Sequence, residues 1–259
     1  MTPPNPTSEI EIRHCTTIAE YEECIGLEQA IWGEAIAVPP PIFVVARETG
    51  GQVFAAFRGR EMVGFTLALA AIRSGTLFLH SHITAVLPEL RDRGVGRRLK
   101  LFQRQDALKR GIDRIEWTFD PLELKNAHFN FVRLGAVARR FIPNCYGVTQ
   151  SPLHAGLPTD RLVAEWLLNS VRVKSILADD PPPVQASAVR LALPANLDEI
   201  RSRDHALAGR IQADAGEQFA RWFAQGYAAT SIEGMETSVE YILEPAATIS
   251  GLGLPAKEN

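Results

Sequence analysis

The stretch AVLPELRDRGVGRRL, residues 85–99, constrains the fold more strongly than any other part of the sequence. An extended apolar segment ends at Pro88, a short loop contains two glycines separated by one residue, and a basic amphipathic segment begins at Gly94. The amides in the first turn of a helix lack intrahelical acceptors and carry partial positive charge, so such a terminus binds phosphate groups. Glycines let the backbone approach such a ligand closely. The stretch therefore predicts a strand, a phosphate-binding loop and a helix.

The residues around the two glycines favour an anionic ligand. Four arginines surround the same point: Arg91, Arg93, Arg97 and Arg98. Two other phosphate motifs are excluded, because the Gly-Lys-Ser/Thr of a Walker loop is absent and Leu99 stands where the dinucleotide fingerprint needs a third glycine. A glycine-containing turn before a basic surface helix, without a ligand, is the alternative interpretation.

Composition narrows the functional class. The chain has 259 residues, 46% of them hydrophobic and 22% charged, with a net charge of −3, so no basic field predicts a nucleic-acid partner. The apolar run 63–72 is too short to span a bilayer, and residues 1–9 lack a hydrophobic signal core, so no membrane partner is predicted. The cysteines, Cys15, Cys24 and Cys145, form no CxxC pair. They are expected to be buried thiols in a cytoplasmic protein.

Periodicity and turn signals predict an alternation of helices and strands. Helices are expected at 17–32, from 39–41 to about 50, at 94–110, at 120–134 and from 196 to about 226. Strands are expected at 9–14, 53–58, 62–72, 76–86, 112–119, 136–142, 161–168, 188–193 and 239–243. Short glycine-containing connections join the strands of 53–86, which favours antiparallel hairpins.

The predicted fold class is α/β (α+β), with a mixed, mostly antiparallel central sheet flanked by helices. Consecutive prolines within 179–186 indicate a linker. We therefore expect a catalytic domain at 9–178 and a strand-helix-strand extension at 187–245. The extension presents an aromatic face, formed by Phe219, Trp222 and Phe223, that is expected to pack on the main domain. Shaping an acceptor pocket, recruiting a protein and forming a homodimer are the alternatives for this face.

The RxxGxG sequence of 91–96, preceded by a strand and Val-Leu-Pro-Glu, resembles the acyl-CoA motif of the GNAT superfamily of N-acyltransferases. The similar region spans about 9–168. The resemblance implies that acetyl-CoA or another acyl-CoA is the cosubstrate and that the backbone of Ala85 and Val86 binds its pantetheine arm. It also implies that Arg91 lies at the pyrophosphate, which the backbone of Arg93, Gly94, Val95, Gly96 and Arg97 would hold.

A later segment, residues 126–136, resembles the helix that lies along the CoA thiol in this family. Asn126 and Asn130 are four residues apart and are expected on one face, in contact with CoA or substrate, with a solvated face as the alternative. Many family members have a tyrosine here that protonates the departing thiolate, whereas this chain has Phe131. Tyr146 is the candidate replacement, although a buried structural tyrosine is also consistent with the sequence.

A catalytic base is expected on the strand before the loop. His80 and His82 are two residues apart, hence on one face, and histidine titrates in the useful pH range. Glu116 is a weaker candidate. A pair of hydrogen-bonded core histidines is the competing interpretation; no further ligand with metal-site spacing is evident, so no metal is predicted. Asp120 is expected to cap a helix.

Together these patterns predict direct transfer of an acyl group, acetyl or succinyl, from acyl-CoA to a primary amine of a small molecule such as an amino acid. A non-catalytic acyl-CoA-binding module and a protein N-acyltransferase are the alternatives. Nothing in the motif identifies the acyl group.

Overall fold

The structure of the protein, a computed structural model, describes residues 10–33, 37–147, 156–249 and 252. The chain forms two units that divide after Ile115. Each unit contains its own run of neighbouring strands with helices packed on it, and the predicted class, a mixed and mostly antiparallel sheet flanked by helices, is confirmed. The N-terminal residues 1–9 lie outside the described part, and with them the first residue of the predicted strand at 9–14.

In the described part of the first unit, four antiparallel strands follow one another in chain order. They are β1 (Ile10–His14), β2 (Gln52–Arg58), β3 (Glu61–Arg73) and β4 (Thr76–Val86). The turn between β3 and β4 places both Ser74 and Gly75 at positive φ, 50° and 75°, which is the backbone that a tight two-residue hairpin requires. The predicted hairpins are confirmed.

Within residues 10–33 and 37–115, three helices cover the two faces of this sheet. They are α1 (Ile18–Trp32), α2 (Pro40–Glu48) and α3 (Val95–Lys109). Successive strand residues point to opposite faces, so Ala55 packs in the cluster with α1 and α2 while Ala56 packs with α3. Thr17 and Glu20 form a capping box at the start of α1, and Pro40 opens α2 at a position that needs no amide hydrogen.

The described residues of the second unit form six strands in the order β5-β7-β6-β9-β10-β8. They are β5 (Arg114–Phe119), which begins at the division, β6 (Val137–Ile142), β7 (Arg161–Leu167), β8 (Val189–Pro194), β9 (Tyr227–Gly234) and β10 (Ser238–Pro245). The sequence patterns did not predict β9. It pairs antiparallel with β6 at Ala138 and Ala229, so the C-terminal strands continue the sheet of this unit.

The predicted linker at 179–186 therefore lies inside the second unit and is not the division of the chain. Prolines produce an irregular connection there, but they do not mark a break in packing, because β9 beyond them pairs with β6 before them. The assignment of activity to 9–178, with 187–245 as an extension, stays a prediction.

The helices of the second unit differ from the predictions at their ends. They are α4 (Leu124–His128), a π-helical turn (Phe129–Arg133), α5 (Val171–Leu177), α6 (Leu197–Arg203) and α7 (His205–Ala224). The prediction that Asp120 caps a helix is wrong: its Oδ1 accepts from the amide of Leu122 at 2.8 Å in a separate turn, and its Oδ2 pairs with Arg201 at 3.0 Å. Asp204 ends α6 and caps α7 by accepting from Leu207, so the predicted single helix is two.

The aromatic face of α7 packs within the second unit. Phe219 is fully buried, and its ring centroid lies 6.5 Å from that of Phe141 and 5.1 Å from that of Tyr241. Trp222 lies edge-on to Tyr227 at 5.0 Å. The packing interpretation of this face is thereby confirmed for Phe219.

Two further sequence predictions concern cysteines and membranes. Cys15 and Cys24 are buried thiols, whereas Cys145 is partly exposed. In the described part of the chain, every helix is too short or too polar to cross a bilayer.

Candidate active site

The loop after β4 leaves the amino end of α3 open. A 3-10 turn, Pro88–Leu90, follows β4, and the chain then passes through positive φ at Asp92 (57°) and at Gly94 (82°), the N-cap residue of α3. No side chain caps this helix, and its first backbone hydrogen bond runs from Arg98 to the Gly94 carbonyl at 3.0 Å. The amides of the first turn are therefore oriented toward whatever occupies the loop.

The fold requires glycine at position 94 but not at position 96. The left-handed backbone of Gly94 requires glycine sterically. Gly96 has no such requirement, because a Cβ added there would meet only Val86 Cγ2 at 3.8 Å, an ordinary contact. The fold alone therefore leaves room for a side chain at 96, and this room lies beside the open helix terminus.

The arginines of the loop lie at the surface around this terminus. Arg91 and Arg93 are exposed and Arg97 is half-buried, while Val95 is buried and anchors the helix to the sheet. Arg91 Nε donates to the Val86 carbonyl at 3.3 Å, which holds the loop against the end of β4. Positive side chains and open amides converge, an arrangement that binds phosphate oxygens.

Ala85 and Val86, the residues expected to bind pantetheine, end β4. In the ladder with β3, Ala85 pairs with Phe65 and Val86 with Gly64. An added Cβ on Gly64 would come within 2.8 Å of the Ala85 carbonyl, so the two strands approach closely there. The pantetheine role stays a prediction.

A bulge in β4 affects the positions of His80 and His82. The β3–β4 register passes from Leu67 opposite Ile83 to Ala68 opposite Ser81, so His82 is the extra residue. The rings of His80 and His82 lie 6.3 Å apart, as expected for residues on one face. His82 reaches the surface, yet enough protein surrounds its ring that desolvation lowers the pKa of the imidazole. A lowered pKa favours the neutral ring, which is the form that a general base needs.

Sequence reasoning missed a buried lysine on α3. Lys100 is only 3% exposed, and its Nζ donates to Ser81 Oγ at 2.7 Å and to Gln103 Oε1 at 3.3 Å. Desolvation lowers the pKa of this amine from 10.5 to about 7. The sequence did contain one signal for the burial of Lys100, because this residue falls within the row of buried α3 residues that runs from Leu99 to Ala107.

In the second unit, the two asparagines of the predicted polar face have different environments. Asn126 is exposed, whereas Asn130 is buried and its Oδ1 accepts from Trp117 Nε1 at 3.2 Å. The helix changes to a π-helical turn after His128, and contact of either asparagine with CoA or substrate stays a prediction. Among the described residues, Asn130 Nδ2 has no acceptor.

Phe131 and Tyr146 contrast in exposure. Phe131 is completely buried, and its ring lies edge-on to Phe119 and Tyr241. Tyr146 is 53% exposed, so the buried structural interpretation is wrong for it. Its hydroxyl shares a 2.6 Å hydrogen bond with Thr118 Oγ1. A surface hydroxyl of this kind can donate a proton to a leaving group.

Glu116 belongs to a buried ionic cluster. Its carboxylate pairs with Arg140, while Arg139 pairs with Glu165 at 3.0 Å. Both arginines lie at a β6 bulge, where the ladder passes from Ala138 to Phe141. A carboxylate held by a guanidinium is stabilised in its charged form and is a weak base, so this geometry favours a structural role.

The described part of the chain contains no group of three or more His, Cys, Asp or Glu side chains arranged to hold a metal ion. No protein-family model and no curated protein sequence matches the chain.

Comparison with solved structures identifies the fold. The ribosomal-protein-S18-alanine N-acetyltransferase of Escherichia coli aligns with a TM-score of 0.50 at 16% identity, over 61% of this chain and 94% of its own. Arabidopsis thaliana Naa50, solved in complex with the bisubstrate analogue CoA-Ac-MVNAL, aligns with a TM-score of 0.51 at 15% identity, over 61% and 97%. The smu.2055 protein of Streptococcus mutans UA159 aligns with a TM-score of 0.51 at 16% identity, over 61% and 99%. The chain therefore has the fold of the GNAT N-acetyltransferases.

Proposed function

We propose that the protein transfers an acyl group from acyl-CoA to a primary amine. The observation that carries this proposal is the open amino end of α3, where the Gly94–Gly96 loop follows β4 in a fold shared with acetyltransferases. The free amides and surrounding arginines suit the CoA pyrophosphate, and the unoccupied space at Gly96 suits its close approach.

In this proposal the amine attacks the thioester carbonyl directly while both substrates are bound. The C–S bond breaks, the new C–N bond forms, and CoA leaves as a thiolate that takes up a proton. Catalysis then comes largely from positioning of the two reactants. A thiol with a pKa near ~8.5 is a tolerable leaving group even without an acid, and Tyr146 is the candidate donor.

His82 is the proposed general base for the attacking amine. Its lowered pKa means that the rate should stay constant down to a pH below the 6.5 of an ordinary imidazole and fall only as the ring becomes protonated. We expect His82→Gln to lower kcat/KM by about 10²-fold and to abolish this acid limb. The measurement is kcat/KM between pH 5 and 8.5, with His14→Gln, an exposed histidine of the same unit, as the control. An unchanged profile in His82→Gln would remove His82 from the mechanism.

The acceptor is proposed to be a small-molecule amine, with an amino acid as the first candidate. The names of the two aligned acetyltransferases, one for a ribosomal-protein alanine and one complexed with a peptidic bisubstrate analogue, support a protein N-terminus as the second candidate. An acyl-CoA-binding protein without transfer activity is the remaining alternative.

The test is thiol release from acetyl-CoA and succinyl-CoA with a panel of acceptors. The panel contains free amino acids, a polyamine and a peptide with an unblocked N-terminus. We expect release to depend on one amine class and on one acyl group. Saturable acyl-CoA binding with no amine-dependent release across the panel would contradict catalysis, and absence of binding would contradict the acyl-CoA site itself.

A further inference from the structure

A cavity of about 180 Å³ opens within the second unit, and all of its lining residues belong to that unit. Its walls come from the π-helical turn after α4, from α5, from the 179–184 connection and from β9 and β10. At roughly 30 Å³ for each water it displaces, this volume accommodates a molecule of about six to ten non-hydrogen atoms.

A β-bulge places opposite charges on one wall of the cavity. In the β9–β10 ladder Ser231 lies opposite Ile242 and Ala229 opposite Leu243, which leaves Thr230 as the extra residue. Its carbonyl accepts from Arg172 Nη2, and its hydroxyl donates to Glu244 Oε2 at 2.6 Å. One bulged residue therefore holds a guanidinium and a carboxylate together, at a kind of irregularity that often adjoins functional sites.

Arg172 and Glu244 leave part of their polar interactions unmade within the described part of the chain. Arg172 Nε is buried and has no acceptor among the described residues. Glu244 is 5% exposed, and the donors recorded for it, the Thr230 hydroxyl and the Gln185 amide at 2.9 Å, are both neutral. Within the described ranges neither residue makes an ion pair within 4.0 Å. The Glu244 carboxylate attracts the Arg172 guanidinium only from beyond this distance, and a buried Nε–H without an acceptor is costly, which indicates that a ligand supplies the missing interactions.

The remaining lining defines the ligand's character. At the mouth, exposed Arg133 and Asp179 add one charge of each sign, so the lining is balanced. Phe131 and Ile176 are apolar and buried, and Val184 adds an apolar surface. The lining would repel a ligand with a net charge of either sign as much as it attracts it. A neutral molecule that carries both charges and an apolar portion is instead complementary to the lining.

We propose that this cavity binds a zwitterionic α-amino acid with an apolar side chain. The carboxylate pairs with Arg172, the ammonium pairs with Glu244, and the side chain packs on Ile176 and Val184. The inference does not rest on acyl transfer, because it uses only residues of the second unit and involves no CoA.

The test titrates the full chain calorimetrically, without CoA, with L-leucine, L-methionine and L-phenylalanine. The matched probes are 4-methylpentanoate, which lacks the amine of leucine, and 3-methylbutylamine, which lacks its carboxylate. We expect saturable binding of at least one amino acid, and binding at least about tenfold weaker for both analogues of leucine if leucine is the one that binds, since each loses a charge-assisted hydrogen-bond set. No saturable binding of any of the three amino acids, or an analogue that binds as tightly as leucine, would overturn the proposal.

Variants of the lining residues test whether the amino acid binds in this cavity. Glu244→Gln and Arg172→Lys are expected to weaken it about tenfold or more, whereas Glu233→Gln, in an exposed ion pair of the same unit, leaves it unchanged. Ser231→Phe fills the cavity without removing a charge and should abolish binding while the unfolding midpoint shows that the fold persists. Wild-type affinity in Ser231→Phe would overturn the assignment to this cavity.

Discussion

The arginines of the two units have different surroundings. In the second unit, buried or half-buried arginines are matched by carboxylates: Arg139 by Glu165, Arg140 by Glu116, and Arg201 by Asp120 and Glu123. In the first unit, the stretch 89–98 contains four arginines but only two acids, Glu89 and Asp92, and both Arg91 and Arg93 are exposed. Matched buried charges serve the fold, whereas an excess of positive charge at an open helix terminus is available to a ligand.

The buried cation of the first unit shows a third arrangement. Lys100 is surrounded by the neutral Ser81 hydroxyl and Gln103 amide, and its amine is close to half-neutral at pH 7. A lysine can lose its proton when it is buried, but a guanidinium cannot. Among the described residues of the second unit, Arg139, Arg140 and Arg201 accordingly pair with acids, whereas Arg161 donates to a backbone carbonyl and lies over the Tyr146 ring. The surroundings of Arg172 carry the amino-acid proposal.

The largest expected effect comes from breaking the buried cluster. Glu116→Gln breaks the short pair with Arg140 and should lower the free energy of unfolding by about 3 kcal/mol, because Arg140 then keeps only its longer contact with Glu165 at 3.9 Å. The measurement is urea unfolding at pH 7. Glu233→Gln, in an exposed pair, is the control and should leave the midpoint near that of the wild type. A small change in Glu116→Gln would mean that the cluster is not what stabilises this unit.

An intermediate effect is expected at Lys100, and its sign follows from the direction of the pKa shift. The folded amine titrates near pH 7 and the unfolded amine near 10.5, so unfolding takes up a proton between these values and stability should rise with pH. Lys100→Met should remove this rise, which is at most about 1.4 kcal/mol per pH unit for one proton.

Urea unfolding of the wild type and Lys100→Met at pH 6, 7, 8 and 9 measures this dependence. Lys109→Met, at the exposed end of the same helix, serves as the control. Parallel curves for the wild type and Lys100→Met would show that the buried amine keeps its proton in the folded state.

The smallest expected effect belongs to a single loop arginine. Arg93 is exposed, so Arg93→Gln should weaken acetyl-CoA binding only about three- to fivefold, and less at high salt, where the interaction is screened. Titration at 50 and 500 mM NaCl measures the difference. An equal loss at both salt concentrations would indicate a specific, desolvated contact for Arg93 instead of a surface charge.

The first unit was largely predictable because its signals are local. Strand limits, hairpins and the start of α3 follow from alternation, glycines and prolines, so β4 and α3 were predicted within a residue or two of their observed ends. In the second unit, the strand order and the existence of β9 depend on pairings between residues far apart in sequence. Asp204 looks like an ordinary helical residue in the sequence, so the break between α6 and α7 could not be predicted there. Bulges at His82 and Thr230 add one residue to a ladder, which no periodicity reveals.

The candidate site shows the same difference between local sequence signals and contacts that depend on the fold. The loop at 91–96 was visible because its glycines and arginines are adjacent in sequence. The pairing of Glu116 with Arg140 and the contact of Lys100 with Ser81 join residues about twenty positions apart or more, so the roles of Glu116 and Lys100 emerged only from the fold.

The central claim, that the open end of α3 holds the pyrophosphate of acyl-CoA, is tested most directly by calorimetric titration of acetyl-CoA into wild type, Gly96→Glu and Gly26→Glu. A side chain at Gly96 meets only an ordinary contact, and an acidic residue in the first turn of a helix is favourable, so the fold should tolerate the change. Gly26 is an exposed helical glycine with nothing within 4 Å of an added Cβ, which makes it the matched control. We predict that wild type and Gly26→Glu bind equally and that Gly96→Glu binds on the order of 100-fold more weakly with an unchanged unfolding midpoint. Equal binding by all three proteins would contradict the claim.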